Sequence, residues 1–284
     1  MVAAYQDELD AARGLLCETA ELLNGHGIDH VIIGGWIPYL FATGPLPHPG
    51  TFDVDVLLNE QTPLAEVVAA LDHLRAHGYR RAAKNRFQLF RTLTVLGEPV
   101  DFHVDFLHRK YADGQTRQIK AWGPYQSISG PGSDVVFVAG ERFTASVEGL
   151  LPDGSRRAPL VHFCSEVGFL STRGRSVGFG KRTRDSYDVF LLLRQSKNHA
   201  TLTERCSTLM TNPIFKHSMN MLNHEFREGR ATDDAVGHLM ELTPLSKAEA
   251  FRLVHQTVDP FLTALGFPAS RLPWVDQPGT WVTK

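Results

Sequence analysis

Apolar side chains recur at helical spacing between Tyr5 and Leu23 (Leu9, Leu15, Leu16, Ala20, Leu23), and Asn24-Gly25-His26-Gly27 closes that run with residues suited to a left-handed cap. The pattern predicts an amphipathic first helix. His30 to Ile33 is then uniformly apolar enough for a short buried strand, and Gly35 to Ala42 returns to helical spacing. Gly44-Pro45-Leu46-Pro47-His48-Pro49-Gly50 carries too much proline for either. Phe52 to Leu58 alternates as a strand. Thr62-Pro63 opens a helix whose apolar face is Val67, Val68, Leu71 and Leu74, with Gly78 closing it.

Strands return in Phe87 to Val95 and Val100 to Leu107, joined at Gly97-Glu98-Pro99, which predicts an antiparallel hairpin. Val135 to Val138 and Phe143 to Val147 extend the expected sheet. From about Val161 the spacing turns helical, most clearly over Ser165 to Leu170, Asp185 to Leu193, Pro213 to Phe226 and Lys247 to Leu265. The expected fold class is therefore α+β: a core domain over residues 1–160, with a mixed sheet flanked by helices, and a helical C-terminal domain over residues 161–284. A Pro- and Gly-punctuated tail begins at Pro268.

Composition narrows the picture. The chain has 284 residues with 43% hydrophobic content, enough to fill a substantial core. Its 29 basic and 31 acidic residues leave a formal charge of -2, so a nucleic-acid partner would have to be met by a local patch. Cys17, Cys164 and Cys206 are widely separated and lack a Cys-x-x-Cys pair, which argues against a disulfide framework and a zinc ribbon and for a reducing compartment. No basic, apolar leader begins the chain and no apolar run spans a bilayer, so a cytoplasmic location is the expectation.

The candidate chemistry lies in the carboxylates. Side chains alternate along a strand, so Asp53 and Asp55 share one face while Val54 and Val56 face the core. Asp101, His103 and Asp105 repeat the device in the hairpin. Crowded carboxylates call for a hard cation such as Mg2+, and three of them suit two ions about 4 Å apart. Half-exposed strands with their wet faces outward are the plainer account of either segment alone. Asp is depleted in strands, however, and two acidic faces follow one Gly-Gly turn. Gly34 and Gly35 stand where a strand hands over to a helix, a position that admits phosphate. Trp36, flanked by Ile37 and Tyr39, reads as core before it reads as a base-stacking surface.

A cationic segment, Ser171 to Arg184, holds Arg173, Arg175, Lys181, Arg182 and Arg184 and no acid. Facing the carboxylates it would bind phosphate; otherwise it is a solvated loop. Arg80, Arg81, Lys84, Arg86 and Arg91 could widen the positive surface. Asp188, if buried, needs a cation, with Arg173 or Lys181 as candidates. His103 and His108 lack metal-ligand spacing and read as structural.

Taken together, Gly34-Gly35, Thr51-x-Asp53-x-Asp55, the strand end Val104-Asp105-Phe106-Leu107 and Lys181-Arg182-Thr183-Arg184-Asp185-Ser186-Tyr187-Asp188 resemble the AbiEii/MenT-type nucleotidyltransferases of the polymerase-beta-like superfamily. The resemblance spans residues 25 to 195. It implies a polymerase-beta-like core, Asp53, Asp55 and Asp105 as ligands of two Mg2+ ions, and Asp101 as the rival for the third place. It further implies Asp185 in an Arg/Lys-Asp-x-x-Asp motif, and Gly34, Gly35, Thr51, Arg173, Lys181 and Arg182 around a bound NTP. The implied activity moves NMP from an NTP to a hydroxyl, with RNA, a tRNA 3′ end, as acceptor, in a toxin of a toxin-antitoxin or phage-defence system with a cognate antitoxin as partner. Arg173 stands where the family usually has lysine, Trp36 replaces a small hydroxyl residue, and the Gly35-to-Asp53 connection is long. A catalytically silent nucleotide-binding member, an aminoglycoside-type transferase acting on a small molecule, and a metallohydrolase are the competing expectations.

Overall fold

A computed structural model describes residues 4–109, 119–178 and 182–269. The N-terminal part runs β1 (Ala4–Tyr5), α1 (Glu8–Gly25), β2 (His30–Ile33), α2 (Trp36–Phe41), β3 (Val54–Leu58), α3 (Leu64–Ala76), β4 (Arg80–Arg81), β5 (Gln88–Val95) and β6 (Glu98–Arg109). It continues through β7 (Ile119–Trp122), β8 (Tyr125–Gly130), α4 (Asp134–Val138), β9 (Arg142–Ser146), β10 (Gly149–Leu150), β11 (Arg156–Arg157) and β12 (Leu160–Cys164). Helices α5 (Glu166–Arg173), α6 (Thr183–Gln195), α7 (His199–Leu209), α8 (Pro213–Arg227), α9 (Ala231–Leu242) and α10 (Lys247–Ala264) complete it.

The architecture is mixed α and β. One sheet has the order β1-β5-β6-β3-β2-β12-β9, with β4 beside β5 and the β7-β8 hairpin added to β6. Pairing is parallel for β3 with β6 and for β2 with β12, and antiparallel for β2 with β3 and for β5 with β6. Strand β12 straddles residues 160 and 161 and is an inner strand of that sheet, between β2 and β9.

The alternating pattern decides which face is covered. Val54, Val56, Val104 and Phe106 are fully or almost fully buried, and α1 contributes Ala12, Leu15, Leu16 and Leu23 to the same core. Helix α1 starts where Asp7 accepts a hydrogen bond from the Asp10 amide at 2.7 Å, and it stops before Gly27, which takes φ +65°. The C-terminal helices pack mainly on one another, α9 against α6 and α10 and α8 against α5. Helix α10 is fixed at its start by reciprocal bonds between Ser246 and Glu249.

Two sequence-based expectations are corrected. Val135 to Val138 is helix, not strand: Ser133 bonds back to Gly130 and starts a turn that buries Val135 and Val136 while leaving Val138 exposed. The β5-β6 turn is centred on Leu96 and Gly97, both at positive φ, one residue before the expected position, so Glu98 and Pro99 belong to the strand.

Candidate active site

Parallel register sets Asp55 opposite Asp105, and Asp55 is also opposite Ile33, the last residue of β2. Adjacent strands lie about 4.8 Å apart, so same-face carboxylates at matched positions are neighbours. Gln88, opposite Asp105 on β5, donates from Nε2 to Oδ2 at 3.2 Å. The other oxygen, Oδ1, is buried without a hydrogen-bond partner. Burial and then the Asp55 charge push the Asp105 carboxyl up to about 7, with Asp53 adding and Gln88 and Arg182 opposing. Burial likewise raises Asp55; Asp53 adds to this and Arg173 offsets part of it. Asp53 is exposed, just before β3, and its carbonyl accepts from Trp36 Nε1 at 2.9 Å. Trp36 is wholly buried, as expected of a core residue.

The Gly-Gly turn is pressed against these groups. Gly34 has φ +86°, and a Cβ there would lie 2.3 Å from Asp55 Oδ2 and 3.4 Å from Arg173 Nη2. At Gly35 it would meet Thr51 Oγ1 and Arg184 Nη2, each at 2.8 Å. Only glycine lets this backbone pass between the carboxylate and the two arginines. Thr51 is buried beside it.

Helices α5 and α6 supply the cations. Arg173 is buried at the end of α5 and pairs with Asp185 in the first turn of α6 at 3.0 Å. Although burial opposes its charge, the carboxylates of Asp185, Asp188 and Asp55 raise its proton affinity overall. Asp185 is thus in an ion pair with Arg173, and its charge also reaches Asp55. Asp188, fully buried, is met by His48 at 3.2 Å and by Arg184 at 3.7 Å rather than by a direct Arg173 pair. Arg182 is exposed, and its charge lowers the proton affinity of both Asp55 and Asp105. Lys181 lies outside the described residues.

Several other expectations resolve. Asp101 shares the Asp105 face but is exposed and bonded to Thr92 and Arg80. His108 is buried on Ser127, as a structural histidine would be. Arg91 does not join a positive surface, because it points to the core side of β5 and pairs with the buried Glu18 of α1. Gln88 and His48 were not singled out from sequence. Gln88 was within reach, since it alternates with Phe90 and Thr92 on the polar side of β5; nothing local marks His48.

Among the described residues, no three Asp, Glu, His or Cys side chains already form a metal-holding cluster. The donor chemistry nonetheless fits Mg2+, which takes one or two carboxylates with phosphate oxygens completing its shell. Asp55 and Asp105 are the pair that would hold it, through hard oxygens of which Asp105 Oδ1 is orphaned, while Asp53 adds charge from the rim.

No family model matches the chain, and no curated protein matches it. A solved structure that does is an antigenic nucleotidyltransferase-like protein from Paracoccidioides brasiliensis, 14% identical, with 86% of this chain and 93% of that chain covered and a TM-score of 0.37. That similarity is too slight to assign this chain a fold or an activity.

Proposed function

We propose that this chain is a Mg2+-dependent nucleotidyltransferase of the AbiEii/MenT type, with a polymerase-beta-like core, that moves NMP from an NTP to the 3′ hydroxyl of an RNA, a tRNA being the expected acceptor. The observation that carries the reading is the pairing of Asp55 with Asp105 across parallel strands, beside a glycine turn that admits no side chain. Burial, with the Asp55 charge added to it, pushes Asp105 up to about 7, which suits a group that holds a cation or takes a proton near neutrality.

In the reaction the acceptor oxygen bonds to the alpha phosphorus, the bond from that phosphorus to the bridging oxygen breaks, and pyrophosphate leaves. Asp105 takes the hydroxyl proton. The Gly34-Gly35 turn, Thr51, Arg173 and Arg182 hold the triphosphate, with Lys181 assigned to the same role. Bound Mg2+ would supply stabilisation of the charge that develops on the phosphates. Asp185 keeps Arg173 oriented through the 3.0 Å pair.

The test is incubation with each alpha-labelled NTP, Mg2+ and total RNA beside Asp55→Asn. Label on RNA and pyrophosphate release from the wild type alone support the reading; equal label on both proteins overturns it. A second reading is a silent nucleotide-binding member, favoured by Arg173 placing a cation against Asp55 already. Nucleotide binding without pyrophosphate release would select it. Label on an aminoglycoside instead of RNA would redirect the acceptor. The toxin role predicts growth arrest on expression, relieved by Asp55→Asn and by a cognate antitoxin.

A further inference from the structure

A cleft of 740 Å³ opens at the β4 edge of the sheet, lined by Arg75, Arg80, Arg81 and Arg86 together with Pro124. Four guanidinium groups in one concavity are unusual in a chain whose formal charge is -2, and Lys84 adds a fifth exposed cation from the same connection. The neighbouring acids are already engaged. Asp72 accepts from Tyr125 Oη at 2.5 Å, and Asp101 accepts from Thr92 at 2.5 Å and from Arg80 at 3.5 Å. The Arg80–Asp101 pair is more than half exposed at both ends, so water screens it and a phosphate could displace it. The Arg86 guanidinium has no partner among the described residues, while its carbonyl, bonded by the Gln126 amide, fixes its backbone.

Sheet register connects this cleft to the carboxylates. Arg80 is opposite Phe90, and Phe90 is opposite His103. The next row on the same face, two residues along, is Gln88, Asp105 and Asp55. Two residues of strand measure about 7 Å, so the rows adjoin. The first row sets a cation beside two rings: Arg80 lies 4.5 Å from the Phe90 centroid, and the Phe90 and His103 centroids are 6.4 Å apart. His103 Nδ1 is buried without a hydrogen-bond partner. Cations that track a backbone, interleaved with rings that accept any base, are the chemistry of a single-stranded nucleic-acid site.

We propose that the cleft and the Arg80–Phe90–His103 row bind the single-stranded 3′ end of a nucleic-acid acceptor, with its phosphates on Arg80, Arg81 and Arg86 and a base on Phe90 and His103. The terminal hydroxyl is thereby delivered to Asp105. This rests on the transferase reading for the role of Asp105, but binding is measurable without turnover.

The full chain would be titrated into a labelled short single-stranded RNA and followed by fluorescence anisotropy across a salt series, with no nucleotide present. Arg81→Ala/Arg86→Ala should weaken binding about tenfold or more and reduce the salt slope by about two. Arg81→Lys/Arg86→Lys should recover most of both, and Phe90→Ala should weaken binding with the slope unchanged. Thermal melting of each variant separates these effects from misfolding. Absence of binding by the wild type, an unchanged slope in the double alanine variant, or equal competition by duplex RNA or inorganic polyphosphate would overturn the proposal. Binding that behaves as expected in a protein that transfers no label would leave the cleft assigned and remove the transferase reading. Transfer with an unchanged KM for RNA in the double alanine variant would do the reverse.

Discussion

Asp55 and Asp105 are register partners on parallel strands, and the charge on Asp55 raises the proton affinity of Asp105. Two buried carboxylates in that relation cost stability in the bare chain. Asp105→Asn should therefore raise stability by about 1 kcal/mol in cation-free buffer while removing nucleotide transfer. Chemical denaturation with and without Mg2+ checks this: the gain should be largest without the cation. A variant that is both less stable and inactive would mean that Asp105 is an ordinary structural residue.

Substitution at Gly34 should separate transfer activity from folding. The φ of +86° there alone makes alanine unfavourable by about 1–2 kcal/mol, which a domain of this size tolerates. The added methyl, however, would lie 2.3 Å from Asp55 Oδ2 and must move that carboxylate. Gly34→Ala should thus retain a cooperative melt and lose as much transfer activity as Asp55→Asn. Parallel melting and labelling assays would show the separation; normal activity would place Asp55 outside the chemistry.

Arg173 and Asp185 have side chains only 10% and 9% exposed, and each is the other's neutralising partner. Arg173→Met leaves a buried carboxylate alone and should cost about 3–5 kcal/mol. Arg173→Met/Asp185→Leu should recover most of that loss, because an apolar pair of similar volume needs no compensation. Urea midpoints of the two variants decide the matter. Equal destabilisation would show that Arg173 acts through its contacts with the Gly34 turn instead.

Much of this geometry was readable because period-two alternation is a local signal. The apolar residues Val54, Val56, Val104 and Phe106 define one face of their strands, and the acidic sets fall on the other. Which acids become neighbours is not local. Asp55 meets Asp105, and not Asp101, because β3 pairs with the far half of β6, leaving Asp101 beside Thr92 on the exposed half. The Asp188 contact with His48 likewise depends on α6 gripping the proline-rich connection, where Tyr187 Oη donates to the Pro47 carbonyl at 2.6 Å and Gln195 bonds Leu46. Val135 to Val138 was misread because four β-formers in a row outweigh a capping turn in any local reading, whereas in the fold burial of Val135 and Val136 decides.

The hairpin turn offers a gain in stability without chemical cost. Leu96 has φ 53° and is 78% exposed, so a branched apolar residue occupies a position where asparagine is favoured. Leu96→Asn should stabilise the chain by about 1 kcal/mol, with transfer activity and RNA binding unchanged. An unchanged or lowered melting temperature would count against the turn assignment.

Two buried histidines set an acid limit on the fold. His30 is held down to about 4 by burial, with its Nδ1 donating to the Ile28 carbonyl and its Nε2 lacking a partner for a second proton. His108 is also held down to about 4, by burial and then by Lys120. Its Nδ1 lies 2.8 Å from Ser127 Oγ, which also accepts from Trp122 Nε1; the Ser127 contact favours the protonated ring but does not outweigh burial. For each ring the unfolded chain binds the proton first, below 6.5, while the folded chain resists until about 4. Stability is therefore present above 6.5 and is lost as pH falls through that window, by up to about 3 kcal/mol per histidine. Asp55 and Asp105, whose carboxyls are raised, contribute the opposite slope, so the signature is a difference between chains. Wild type should lose stability relative to His108→Gln as pH falls from 6.5 toward 4, because glutamine does not titrate. Denaturation midpoints of both proteins at pH 7 and pH 5 measure it; parallel shifts would show that His108 keeps the same protonation in the folded and unfolded chain.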